Sequence, residues 1–262
     1  MRFFLRKFIL SIKFKYYVPF FAIFSILVSV AIYSYLNIFS LYNKLTAEQA
    51  RVEQLRKIVR EDKEKTRILG IINSFNTGLS AKEKRSISVL IYNISKKYNV
   101  NPALILSVIR AESSFNNFSV SDKGAVGLMQ VQPVTGLYLI KKYDIASRKF
   151  NYNARYMDYL PPSYLYNPSL NIKLGVVYFI DLIHKFKNLE LALFAYNAGP
   201  TLTSEILDSV QRNGSNDSRY NVDSTVDDLE KTNIIFNNFY YFYYSRIERY
   251  LAIYNKKIFG TS

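Results

Sequence analysis

Residues 16–43 carry no charged side chain, and that is longer than the roughly 20 residues a helix needs to cross a hydrocarbon core. Interior helices of globular proteins seldom run so far without a charge, so this stretch reads as a membrane span rather than a core helix. The residues before it hold Arg2, Arg6, Lys7, Lys13 and Lys15 and no acid. That bias assigns the basic end to the cytoplasm and everything after Lys44 to the other side of the membrane. Ser29-Val-Ala31 resembles a signal-peptidase site, but the apolar run continues past it. An uncleaved signal anchor is therefore expected, with a processed signal peptide as the alternative.

The formal net charge is +15, which raises the question of a nucleic-acid partner. Five of those charges stand in the leader, and the rest read as a solvated face attracted to anionic polymers or headgroups, so no nucleic-acid partner is expected. There is no cysteine. Disulfide frameworks, thiolate metal sites, thiol nucleophiles and acylated-cysteine anchors are thereby excluded. His184 is the single histidine, which leaves no histidine pair for a metal; neither a metal site nor a cofactor is expected. The 262 residues accommodate one globular domain of ordinary size beyond the leader and span.

Past the leader and anchor (1–43), residues 44–78 read as a helical stalk or linker. Leu41, Leu45, Val52, Leu55 and Val59 recur at spacings of three, four and seven, but Glu48 and Gln49 interrupt the seam. A stalk, or a helix laid on the domain, is favoured over a dimeric coiled coil. Gly70 and the polar stretch 73–78 mark a break, which sets the domain at 79–262 with its start near Leu79. Ser80 with Glu83 forms a capping-box start, and Asn101-Pro102 forms a second helix start. Further helices are expected over 135–143, 170–186, 189–196 and 240–258, with an exposed loop at 211–233. No convincing alternating strand pattern occurs, so the fold class is mainly α.

The helix after Pro102 turns its apolar face through Leu104, Ile105, Val108 and Ile109, and the next position on that face is Glu112. A carboxylate that continues an apolar stripe is desolvated, which raises its pKa toward that of a usable general acid. The competing reading is a glutamate at a helix end whose side chain escapes to water. Downstream, Gly124 and Gly127 punctuate a loop ending in Leu128-Met129-Gln130 and then Pro133. Such a loop can bring backbone close to a ligand, and Gln130 offers a donor and an acceptor. His184 reads as structural, and the Tyr/Phe cluster between Phe239 and Tyr254 reads as core.

Four blocks carry a resemblance: Glu112-Ser113-Ser114-Phe115; Ser121-Asp-Lys-Gly124-Ala-Val-Gly127-Leu-Met-Gln130; Asn167-Pro-Ser-Leu-Asn171-Ile-Lys-Leu-Gly175; and Leu191-Ala-Leu-Phe-Ala195-Tyr-Asn-Ala-Gly199-Pro. In order and spacing they resemble the soluble lytic transglycosylase (SLT) family, from about Ile87 to Pro200. The resemblance implies a goose-type lysozyme-like helical domain acting on peptidoglycan glycan strands; together with the charge bias around the apolar run, a periplasmic domain on a single inner-membrane anchor is expected. It implies that Glu112 is the catalytic acid/base, supported by Ser113. It also implies a substrate-binding set of Ser113, Ser121, Gln130, Tyr196, Asn197 and Tyr243, in which Ser121 and Gln130 contact the sugar at the cleavage site and Tyr196 and Asn197 form the site wall. Gln132 departs from the methionine many members carry. The family's C-terminal Glu-Thr-Arg-x-Tyr-Val motif is not legible here, and Tyr243 matches its tyrosine by helical register.

Retaining and inverting glycosidases place a second carboxylate across the scissile bond. The nearest in sequence, Asp122, lies in a Ser-Asp-Lys-Gly turn and is expected to face solvent. With one carboxylate the nucleophile must come from elsewhere, and muramic acid supplies its own C6 hydroxyl. A peptidoglycan lytic transglycosylase is therefore expected. The alternatives are a muramidase using water, and a wall-binding scaffold of a secretion, division or motility assembly that keeps the fold with little or no catalysis.

Overall fold

The computed structural model describes residues 2–145, 157–213 and 238–260. It is mainly α-helical, the fold class expected. Two compact units divide it, Met1–Glu61 and Asp62–Ser262, and α1 (Arg2–Asn73) contributes to both. In the first unit, residues 18–60 are exposed throughout. Phe20, Ile23, Leu27 and Ile38 stand among its uncovered apolar side chains, and the helix is long and apolar enough to cross a membrane.

The second unit assembles around a helix whose faces are nearly all apolar. That helix is α5 (Pro168–Phe186), capped by Asn167 Oδ1 accepting from the Leu170 amide at 3.0 Å. Leu170, Ile172, Leu174, Val176, Phe179 and Leu182 are buried on it. It packs on α2 (Ala81–Tyr98), α4 (Pro133–Tyr143) and α6 (Leu189–Ala198), while α3 (Pro102–Ser113) packs on α8 (Ser245–Phe259). A 3₁₀ turn (Pro162–Tyr166) precedes α5 and a π-helical turn (Tyr240–Tyr244) precedes α8. The Ser80/Glu83 capping box forms as the sequence implies, and Asn101 Oδ1 caps α3 by accepting from the Ala103 amide at 2.8 Å.

Two boundaries differ from the sequence reading. The domain begins before Leu79, because the last turns of α1 belong to its core. Ile68, Ile71 and Ile72, at helical spacing, are buried, and Arg67 on the same turns donates to the Ile258 carbonyl near the end of α8. The polar stretch after Asn73 does end the helix, but it is a corner inside the domain: Phe75 stacks on Phe115 with centroids 4.4 Å apart, and Thr77 is buried. The second difference is α7 (Pro200–Asn213), a helix not expected from the sequence. The Asn-Ala-Gly-Pro run reads as a stop, yet Pro200 also suits the first position of the next helix. Residues 211–213 of the expected loop finish α7, and residues 214–233 lie outside the described residues.

The early boundary has a measurable consequence. A fragment starting at Asp62 should fold and melt as the domain does in the full chain. One starting at Leu79 exposes the partners of three buried isoleucines, each contributing about 1.5–3 kcal/mol, and should be unfolded or aggregated at 37 °C by circular dichroism and gel filtration.

Candidate active site

The α3 helix ends with Ser114 and Phe115 both in left-handed backbone conformation, φ 50° and 65°. Glu112 sits in the last turn of the helix, two residues before that reversal. It lines a groove of about 1180 Å³, and protein encloses the rest of the side chain. Tyr243, buried in the π-helical turn, donates its hydroxyl to Glu112 Oε1. Burial pushes the Glu112 carboxyl up to about 7, while the Tyr243 hydrogen bond and the charge of Arg246 pull it down. A carboxyl poised there can give a proton and take one back near neutral pH. Burial and the neighbouring Glu112 charge hold the Tyr243 phenol well above its usual range, so Tyr243 stays protonated and keeps the hydrogen it donates.

That hydrogen bond favours the ionised carboxylate, so removing it has a definite sign. Tyr243→Phe should raise the Glu112 pKa and move the alkaline limb of the pH–kcat/KM profile upward, with a smaller rate loss than any change at Glu112 itself. A limb that stays in place or moves downward would contradict the contact.

The loop between α3 and α4 is pinned from several sides. Antiparallel bridges pair Val126 with Val120 and Val131. Gly127 takes φ 81°, and a Cβ there would lie 2.7 Å from the Leu165 carbonyl oxygen as well as striking Asn171, so only glycine fits. Asn171, on α5, is fully buried. Its Oδ1 accepts from the Met129 amide at 2.8 Å, and its Nδ2 donates to the carbonyls of Val126 at 2.7 Å and Leu165 at 2.9 Å. The Gln130 amide nitrogen donates to the carbonyls of Gly127 at 2.9 Å and Ser119 at 3.1 Å. Both its hydrogens are thus committed to the loop, and Oε1 is the atom it can offer a ligand.

The groove brings together Glu112, Ser121, Gln130, Tyr196 and Asn197. Ser121 Oγ accepts from the Ala125 amide at 3.0 Å. Tyr196 donates its hydroxyl to the Met129 carbonyl at 2.7 Å, and its ring lies near Tyr178 and Phe179. Ser113 is placed differently from its expected sugar-contacting role. It is buried, it does not line the groove, and its hydroxyl bonds the carbonyls of Leu128 at 2.8 Å and Ile109 at 3.0 Å. Ser113 therefore ties α3 to the loop that carries Gln130. Tyr243 likewise stands behind Glu112 and off the groove surface.

A wall from α4 and α5 was missed in sequence: Tyr138, Lys142, Tyr143, Tyr178, Asp181 and His184 line the same groove. His184 is exposed there rather than packed in the core. The available signal was spacing, since Val134, Tyr138 and Lys142 recur every fourth residue, away from the buried Gly136, Leu139 and Ile140.

Comparison with known proteins matches the transglycosylase SLT domain to residues 90–219. The membrane-bound lytic murein transglycosylase C of Actinobacillus pleuropneumoniae serotype 5b (strain L20) is 41% identical over 90 residues, 34% of this chain and 22% of that protein. The membrane-bound lytic murein transglycosylase E of Buchnera aphidicola subsp. Baizongia pistaciae is 34% identical over 131 residues, 48% of this chain and 57% of its own length. The chain thus spans only part of the relatives it matches. A solved structure of an inactive mutant of the lytic transglycosylase Slt from Pseudomonas aeruginosa aligns at 23% identity and TM-score 0.49, over 66% of this chain and 24% of its own. Glu112, its supporting loop, Asn171 and Tyr196 all fall inside residues 90–219, the segment of this chain that matches the transglycosylase SLT domain.

Proposed function

We propose that the chain is a membrane-anchored peptidoglycan lytic transglycosylase that breaks the bond from N-acetylmuramic acid to N-acetylglucosamine without water. The observation that carries this reading is the raised carboxyl of Glu112 in a groove whose other carboxylates, among the described residues, are committed or peripheral. Asp181 accepts from Lys142 at 2.9 Å and from Tyr143, and Asp122 is exposed. Protonated Glu112 gives its proton to the glycosidic oxygen as the bond from C1 breaks. The resulting carboxylate takes the proton of the muramic acid C6 hydroxyl as O6 closes on C1, which returns Glu112 to its starting state. Tyr243 orients the carboxyl, while Gln130 Oε1, Ser121, Asn197 and the Tyr196 ring meet the sugars.

In this reading residues 62–262 form the catalytic domain and the preceding helix is its anchor. The leader lies in the cytoplasm, residues 18–43 cross the inner membrane, and the domain works in the periplasm. The lysine and arginine bias before the apolar run supports that direction. Full-length chain in detergent, incubated with purified sacculi, should release soluble muropeptides; persistent failure to release them would favour a wall-binding scaffold.

A further inference from the structure

We infer that Arg110 is a positioning residue for the acid/base: it fixes the register of α8 along α3, and that register carries Tyr243 onto Glu112. The inference rests on the reading of Glu112 as the acid/base and adds to it a residue that meets no substrate. Tyr243 reaches Glu112 from a π-helical turn that runs directly into α8. Such turns occur singly within longer helices, so the place of Tyr243 follows that of α8. Tyr243, Ile247, Tyr250 and Tyr254 recur at spacings of four, three and four, which puts them on one face. Tyr243, Ile247 and Tyr254 are buried, and α8 packs on α3. Apolar burial along such a face is non-directional and sets no register by itself.

Arg110 supplies a directional contact. Its guanidinium carbon lies 4.5 Å from the centroid of the Phe75 ring and 4.8 Å from that of Tyr250. Phe75 is stacked in turn on Phe115, and Tyr250 on Tyr254 with centroids 6.4 Å apart. Burial works to lower the Arg110 pKa, yet Tyr250 and Tyr254 hold it above its usual range, so both phenols stand close to the cation. A planar cation over aromatic faces has a preferred seat that a lysine does not reproduce. Arg110 thereby joins three segments: α3, which carries it, the corner after α1 through Phe75, and α8 through Tyr250 and Tyr254. None of these four residues lines the groove. Tyr250 lies seven residues past Tyr243, about 10 Å along a helix axis, so the clamp acts on Glu112 through α8. Glu112 itself is faced by Tyr243 and Arg246 from the π-helical turn and α8, and by Tyr196 from α6. Arg110 stands two residues before Glu112 on α3, with its charged head on Phe75 and Tyr250. Lost register draws Tyr243 away from the carboxyl, and with it the hydrogen bond that favours the ionised form.

The substitutions that test this separate register from charge and from stability. Full-length chain in detergent is assayed on purified sacculi, each variant well below its own Tm. Phe75→Leu removes one aromatic face and alters no charge, whereas Arg110→Lys keeps the charge and removes the plane. Each should lower kcat/KM about tenfold, the low end of what a hydrogen bond to a charged group is worth, and should move the alkaline limb of the pH profile upward as Tyr243→Phe does. In a Tyr243→Phe background the same two substitutions should change the rate by less than about threefold, because the contact they position is already gone. A merely structural Arg110 would lower Tm, leave the limb in place and multiply its rate effect with that of Tyr243→Phe. An unmoved limb or multiplying effects, with cleavage by the parent and its loss in Glu112→Gln both observed, would overturn the inference alone. No cleavage by the parent, or cleavage unchanged in Glu112→Gln, would overturn the catalytic reading and the inference with it.

Discussion

Glu112→Gln is expected to slow glycan cleavage by about 10²- to 10⁴-fold, the range for a positioned general acid–base, or by more because one group serves both half-steps. Binding of glycan should largely survive, since the side chain keeps its shape. The same substitution should reveal the desolvation of the carboxyl in stability. In the folded chain the pKa is raised from 4.5 to about 7, so folding takes up a proton between those values and stability falls as pH rises through that window. Below it the parent and Glu112→Gln should be equally stable. Above pH 7 the variant should be the more stable, by up to about 3 kcal/mol. Thermal melts from pH 4 to pH 8 check this, and coincident curves throughout would mean that the carboxyl is solvated.

Asn171→Ala should be the most damaging change that leaves every groove-lining residue in place. Three hydrogen bonds converge on this one fully buried side chain. Alanine leaves the Met129 amide and the Val126 and Leu165 carbonyls without partners, at about 1–3 kcal/mol for each buried unsatisfied group. A total near 4 kcal/mol would lower Tm by about 10 °C in a domain of this size. Activity measured well below the new Tm should also fall, because Asn171 holds the loop that presents Gln130. A melting temperature within 2 °C of the parent would mean the loop is held by other contacts.

Where the determinants are local, the sequence was a good guide to the structure. Ser80 with Glu83, and Asn101 with Pro102, specify helix starts through bonds made within three residues, and both form as read. Glu112 stood out because it continues the stripe of Leu104, Ile105, Val108 and Ile109, and the packing that buries that stripe also desolvates the carboxyl. What depends on distant packing was harder to read. Ile68, Ile71 and Ile72 look like more of a stalk until the domain that covers them is known. Tyr243 follows from helical register, but its bond to Glu112 joins residues 131 apart in the chain and depends on the π-helical turn and on α3 packing against α8. Ser113 stands beside the acid in sequence and points into the protein, since neighbouring residues on a helix face different directions. The Lys142–Asp181 wall needs two helices brought side by side, and neither helix alone distinguishes a solvated charge from a groove-lining one.

The central claim is that a hydroxyl of the substrate, and not water, closes on C1 after Glu112 protonates the leaving oxygen. Mass analysis of the products released from purified sacculi in ¹⁸O-labelled water tests it directly. The expected products end in 1,6-anhydro-N-acetylmuramic acid and carry no label from solvent. Reducing N-acetylmuramic acid ends that contain one solvent oxygen would show that water is the nucleophile, and would contradict the transglycosylase mechanism.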